Sequence, residues 1–308
     1  MDVMTLSWII FGSIVTTLIV LDLGVFNKKD EVMSLKHSAL LSLFYISIGC
    51  CFGIYIYYEM GAQNAADYFT GFLLEKTMAL DNIFVISMIF SFFKIPPQYQ
   101  HRVLFWGILG VIVLRAILIS LGSIILSSFS WMLFIFGAIL IYTGYKMLRN
   151  INGHSLDINN LYLYQLAKRK LNIQNELDGN KFVVKRDGKL YFTPLFMALI
   201  AVETADLIFA IDSIPAIFAI TQNSFVVYTS NIFAILGLRA LFFCLADVVQ
   251  RFKYIKYSLS IILILIGIKI FVAHFVKIPA YIPLTVIFGL LTAGIIISIY
   301  KSKKIQQT

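Results

Sequence analysis

About nine stretches of this chain run on for roughly twenty residues with few charges, the length at which a helix crosses ~30 Å of hydrocarbon. They lie near Leu6–Phe26, His37–Tyr58, Ala65–Phe93, Val103–Leu121, Phe129–Leu148, Pro194–Ile220, Phe225–Leu245, Tyr257–Phe275 and Ile282–Tyr300. Backbone immersed in lipid must satisfy its own hydrogen bonds, so such runs can only become helices packed on one another. The hydrophobic share, 60%, exceeds the roughly 45–50% of a soluble domain. An all-α, polytopic membrane protein of about nine transmembrane helices is therefore expected. The first run lacks the basic flank and small-residue cleavage pattern of a secretory signal, so it is expected to remain in the chain.

Lysine and arginine stay on the cytoplasmic side of membrane proteins, which orients the helices. Basic residues cluster in alternate loops: Lys28, Lys29 and Lys36; Lys94 and Arg102; Lys146 to Lys189; Arg251, Lys253 and Lys256; then Lys301, Lys303 and Lys304 at the end. The intervening loops hold only Lys277. This predicts a multi-pass plasma (inner) membrane protein with its N-terminus outside and its C-terminus cytoplasmic. The net charge of +9 is then a matter of topology, and no nucleic-acid partner is needed to explain it. Anionic lipid of the bilayer is the partner these loops suit. Cys50, Cys51 and Cys244 lie within apolar runs without metal-type spacing and read as small buried hydrophobes.

Against this background two runs of acids stand out, Glu75 to Asp81 and Asp206 to Asp212, each an acid, five residues and an aspartate. Glu75, Lys76, Asp81, Arg115, Glu203, Asp206, Asp212, Arg239 and Lys269 all fall at membrane depth. At roughly 2.5–3.5 kcal/mol each, such groups cannot face lipid and must face one another, water or an ion. The acids outnumber the bases, and protons or a bound cation would fill the deficit. Static ion pairs that fix helix register are the plainer reading for Arg115 and Arg239. Asp22, near the inner end of the first run, reads as interfacial.

The same residues reveal an internal repeat. Aligning Asp81 on Asp212 also aligns Ala79-Leu80 with Ala210-Ile211 and Asn82-Ile83 with Ser213-Ile214. The match extends to Leu114–Leu118 against Leu238–Phe242, and to Gly144-Tyr145-Lys146 against Gly267-Ile268-Lys269. Two three-helix units follow, and because three is odd they cross the membrane in opposite senses, an architecture recurrent in secondary transporters. The organisation expected is an N-terminal helix pair (1–62), a first unit (63–150), a basic cytoplasmic loop (151–193), an inverted second unit (194–276), and a final helix with a cytoplasmic tail (277–308). Within the loop, 161–171 has helical periodicity and 181–192 reads as a hairpin about Asp187-Gly188.

Glu203 and Asp206 lie about 60° apart on one helical face, whereas a step of six residues turns by about 120°. Pro215 cannot donate to the Ile211 carbonyl, so a kink or unwinding is predicted at Asp212. The donors gathered here are carboxylates, the Asn82 amide, the Ser213 hydroxyl and backbone carbonyls. Such an all-oxygen set suits a hard divalent ion such as Mn2+, Mg2+ or Ca2+ without choosing among them.

Several of these segments resemble the signature blocks of a known family. Glu75–Val85, Thr193–Phe196, Glu203–Phe218 and Thr229–Leu241, the last containing Asn231 and Arg239, look like those of the TerC family of bacterial membrane proteins. The likeness covers roughly Leu6–Ser298. That family was named for tellurite resistance, is better understood as manganese exporters, and is grouped with the lysine-exporter superfamily of two inverted three-helix units. The resemblance implies Mn2+ efflux, with Glu75, Asp81, Glu203, Asp206 and Asp212 as the metal site. Asn82, Ser213, Pro215, Asn231, Arg115 and Arg239 stand as supporting residues. Mn2+ is then a transported substrate, with exchange for protons as the coupling, no permanent cofactor, and no enzyme activity. A membrane-protein insertion or scaffold factor is the alternative. An intramembrane aspartyl protease built on Asp81 and Asp212 would leave three further acids without a purpose.

Overall fold

The computed structural model describes residues 2–24, 34–129, 131–149, 162–174, 176–186, 188–245, 253–273 and 279–305; the side chains of Leu80, Asp81, Ile211 and Asp212 lie outside the described residues. The order is α1 (Val3–Gly24), α2 (Leu35–Phe92), α3 (Pro97–Ser128), α4 (Met132–Arg149), α5 (Tyr162–Lys170), β1 (Val183–Arg186), β2 (Lys189–Phe192), α6 (Pro194–Ile220), α7 (Ser224–Ile235), α8 (Leu238–Leu245), α9 (Lys253–Val272) and α10 (Tyr281–Ile305). The protein is a polytopic all-α membrane protein. Among the described residues, seven helices are long and apolar enough to cross a membrane, and α7 with α8, bent by 40° at their junction, make an eighth as a pair.

Two of the nine sequence runs, 37–58 and 65–93, both belong to α2. With 58 residues, α2 would be ~87 Å long if straight, nearly three hydrocarbon thicknesses. It breaks at Gly61, whose φ of 88° and ψ of 170° only glycine adopts readily. A Cβ there would touch nothing, so the need is conformational and not steric. The two arms fold back on each other: the Tyr68 hydroxyl donates to the Gly49 carbonyl at 2.9 Å. Gly53 lies under the Phe69 ring, 2.4 Å from where a Cβ would stand.

Local chemistry explains the other boundaries. Ser34 caps the first turn of α2 through the His37 amide. Pro97 and Pro194 open α3 and α6 at positions where a missing N–H costs nothing. The Asn223 side chain accepts from the Phe225 and Val226 amides to start α7. Gly237, with φ of 83°, ends that helix, and a Cβ on it would meet Tyr45 Cβ at 2.7 Å and the Tyr45 ring at 2.9 Å. No unwinding occurs at Asp212: α6 runs as one helix through Pro215. The proline still leaves the Ile211 carbonyl without its helical donor, but the surrounding turns hold the helix.

Helices α4 and α9 run antiparallel in very close contact. A Cβ on Gly144 would stand 2.7 Å from both the Ser260 carbonyl and Ile264 Cγ1. One on Gly267 would stand 2.7 Å from both the Gly137 carbonyl and Ile141 Cγ1. Residues 144 and 267, 141 and 264, and 137 and 260 are each 123 positions apart, so one set of contacts maps onto the other. Apolar side chains such as Leu40, Ile124, Phe288 and Ile296 are more than half exposed on the outside, as lipid contact requires. Helix α5 falls within the expected 161–171, and β1 and β2 pair antiparallel with Arg186 opposite Lys189, while Asp187 of the expected turn lies outside the described residues. Tyr164 and Ala167 of α5 bury against the core that includes Leu195 of α6. Arg102 lies over the Phe182 ring at 5.5 Å, docking this appendage on the start of α3.

Candidate functional site

Four helices meet at Arg115. The first arm of α2 turns back at Gly61, so the second arm carries Glu75 and Asn82 inward; α3 supplies Arg115, α6 Asp206 and Ser213, and α7 Asn231. The Arg115 side chain is 1% exposed. Its Nη1 lies 2.5 Å from Glu75 Oε1 and donates to Asn231 Oδ1 at 2.8 Å and, more weakly, to Ser213 Oγ at 3.4 Å. Its Nη2 donates to Asp206 Oδ1 at 3.4 Å. Asn231 Nδ2 donates to Glu75 Oε2 at 3.4 Å, and Asn82 Nδ2 to Asp206 Oδ1 at 3.3 Å. One guanidinium thus holds two carboxylates in low dielectric, where removing it would leave both uncompensated.

The network has a second side that is not satisfied. Asn82 Oδ1, Asp206 Oδ2 and both oxygens of Glu203 are buried and have no hydrogen-bond partner among the described residues. All four are acceptors, and an ionised carboxylate can only accept. Asn82 and Asp206 line a small pocket with Gly107, Ile108, Val111 and Leu238. The Glu203 carboxylate lies against α3 beside it, where a Cβ on Gly107 would be 3.8 Å from Oε1. A buried, unpaired acceptor is costly, and a group of them calls for a proton donor, water or a cation.

Of the five acids predicted for the site, Glu75 and Asp206 converge on Arg115, and Glu203 stands next to them without a partner. Asp81 and Asp212 lie on the helical stretches that carry these groups, with side chains outside the described residues. Among the described residues, no three His, Cys, Asp or Glu side chains come together in a metal-binding group. Asn82, Ser213 and Asn231 join the network as supporting residues. Pro215 is buried in α6 two residues beyond Ser213, about half a turn on.

Arg239 takes the plainer of the roles expected of it, a static ion pair, and not that of a supporting residue at the acids. It does not reach the Arg115 network but forms a buried ion pair with Asp22 of α1, next to Tyr45. Asp22 is therefore not merely interfacial. An aspartate inside an apolar run was the available signal; its partner 217 positions away could not be read from spacing. Lys269 likewise belongs elsewhere. Its Nζ donates to the Ala219 carbonyl at 3.5 Å, close to the charge of Asp67, a buried acid that sequence reasoning passed over. Asp67 bonds to Thr221 and Gln63. Lys76, beside Glu75, donates to the Leu236 carbonyl at 3.2 Å, an acceptor exposed by the break between α7 and α8. Of the four bases expected at membrane depth, Arg115 and Lys76 are the two that the described residues place beside Glu75.

Comparison with known proteins agrees with this architecture. The family described as integral membrane protein TerC family matches residues 60–306. A membrane protein of Rickettsia felis is 59% identical over 300 residues, covering 97% of this chain and 99% of its own length. One from Myxococcus xanthus is 44% identical over 296 residues, covering 96% and 92%. The protein Alx of Escherichia coli O6:H1, named as a membrane-bound redox modulator, is 41% identical over 302 residues, covering 95% and 94%. No solved structure matches the chain.

Proposed function

The chain belongs to the TerC family of integral membrane proteins, and from that premise we propose that it exports a divalent metal ion, Mn2+ by preference, through the carboxylate site beside Arg115. One observation carries the reading: Asn82 and Asp206, each with an unpartnered buried acceptor oxygen, line one pocket, and the unpartnered Glu203 carboxylate lies against Gly107 of its wall, while Arg115 already holds the other face of the network. Donors of this kind suit a hard divalent ion. Asp81 and Asp212 complete the acidic set in this proposal. The chain acts as a carrier and not as an enzyme, sits in the plasma membrane with its N-terminus outside, and moves its substrate outward.

The contacts of α4 with α9 support two inverted units, 63–150 and 194–276. Contacts that exchange under a shift of 123 positions are what a two-fold axis between antiparallel helices produces. Inverted units with the site at their interface suit alternating access. After the ion leaves, buried carboxylates returning empty would carry uncompensated charge through low dielectric, so protons take its place. Mn2+ export in exchange for inward protons follows, with Glu203 and Asp206 as the carriers.

The test uses Glu203→Gln, which removes a charge without breaking a hydrogen bond or ion pair. Proteoliposomes containing the intact protein and loaded with Mn2+ should release it faster under an imposed inward proton gradient, whereas Glu203→Gln should accumulate normally and release no more than protein-free vesicles. Wild-type-like release by Glu203→Gln would remove this site from the transport path. Release indifferent to the proton gradient, with voltage clamped, would leave export standing and remove the exchange.

A further inference from the structure

We propose that Gly110 and Gly107 of α3 form a seat that fixes the Glu203 carboxylate beside the Asn82 and Asp206 oxygens, and so determine how tightly the site holds its cation. This rests on the cation reading above and names residues that neither the acid pattern nor the repeat singles out.

The geometry at Gly110 is the basis. A Cβ built there would lie 2.2 Å from Glu203 Oε1, 2.5 Å from Cδ and 2.7 Å from Oε2, so the carboxylate occupies the space that any other residue would fill. Three residues earlier, on the same face of α3, a Cβ on Gly107 would be 3.8 Å from Oε1 and 3.5 Å from Val202 Cγ1, ordinary contact distances. Gly107 also lines the pocket shared by Asn82 and Asp206. Asn82 is 6% exposed, and the Asp206 side chain 9%; each presents an unpartnered oxygen. The seat therefore joins an uncommitted carboxylate to an uncommitted pocket.

The nature of the clash sets the consequence. Glutamate's carboxylate is the far end of a flexible side chain, so a methyl at 110 would push it aside without forcing backbone apart. The fold would survive and the ligand would move. Alanine also favours helix over glycine, so resistance to unfolding should hold or rise. A seat of this kind separates stability from affinity, which a glycine kept only for helix packing would not.

The experiment is Mn2+ binding by the purified full-length protein, followed by electron paramagnetic resonance, with thermal unfolding in the absence of metal alongside. Gly110→Ala should weaken binding by about tenfold or more while leaving the unfolding temperature equal or higher. Gly107→Ala should weaken it less, because its contacts stay ordinary. Gly289→Ala, in α10 with nothing within 4 Å of the added carbon, should change nothing. Glu203→Asp withdraws the carboxylate by one methylene, so Gly110→Ala combined with Glu203→Asp should bind more tightly than Gly110→Ala alone. Wild-type affinity in Gly110→Ala overturns the seat but leaves the metal reading intact. No Mn2+ binding by the wild type overturns both. Should Gly110→Ala fail to accumulate, Gly110→Ala with Glu203→Ala must accumulate as well as Glu203→Ala alone; if it does not, Gly110 serves packing and the proposal falls.

Discussion

Arg115 and Arg239 occupy matching places in the two aligned segments, yet the fold gives them opposite surroundings. Arg115 is shared among Glu75, Asp206, Asn231 and Ser213, drawn from α2, α6 and α7. Arg239 meets Asp22 from α1, which lies outside both repeated units. The Asp22–Arg239 pair is neutral as it stands and needs nothing more. Around Arg115 the acceptors exceed the donors, and oxygens of Asn82, Asp206 and Glu203 are left over. The proposed cation site rests on that surplus and not on the presence of buried charge as such. Two positions can be equivalent in sequence and still divide into one that carries function and one that ties helices together.

The largest effect that would break this comparison is expected at its centre. Arg115→Met leaves Glu75 and Asp206 buried without their cation, which should cost about 3–5 kcal/mol of stability. Thermal unfolding in detergent and Mn2+ release from vesicles should both collapse. A stable and active Arg115→Met protein would show that the two arginines do not differ as described.

The Asp22–Arg239 pair should behave differently. Asp22→Asn and Arg239→Gln should each destabilise by about 1–3 kcal/mol, as expected when one partner of a buried polar pair is removed. The double variant should cost less than the sum, with a coupling of about 0.5–3 kcal/mol in the unfolding cycle. Mn2+ release by the double variant should stay near wild type. Loss of release in a stably folded double variant would move Arg239 back into the transport site.

The smallest effect concerns Lys76, which links the two regions by bonding from the Glu75 helix to the Leu236 carbonyl at the α7–α8 break. Lys76→Met loses a charge-assisted hydrogen bond but also the cost of burying an ammonium, so a net loss of about 1 kcal/mol is expected. Release should slow modestly and recover in Lys76→Arg. A complete loss in Lys76→Met, not rescued by arginine, would make Lys76 part of the site itself.

How far the site could be read beforehand differs residue by residue. Glu75, Asp206 and Glu203 announced themselves, because a carboxylate inside an apolar run has few explanations. Asn82 and Ser213 were legible through their place beside the acids, Asn231 only through the family resemblance of its segment. Asp67 was passed over although it lies in the same run as Glu75, and it is buried near Thr221, Gln63 and Lys269. The unwinding expected at Asp212 did not occur, since α6 runs on through Pro215, whereas the turn at Gly61 falls in the gap expected between the runs 37–58 and 65–93. Local propensity gives the tendency of a proline to disrupt a helix; packing on both sides decides whether it does.

The sequence by itself determined that the chain is helical and membrane-spanning and that acids lie at depth, since hydrocarbon leaves the backbone no other way to satisfy its polar groups and makes every buried charge conspicuous. Only the tertiary structure decided how the charges are partnered. It sent Arg239 to Asp22, gave Lys76 to a broken helix, held Glu75 and Asp206 on Arg115, and seated Glu203 against glycines that no charge pattern would have marked. Pairing depends on which helices touch across distances of a hundred residues or more, and on where a missing Cβ leaves room, and neither quantity is encoded in local spacing.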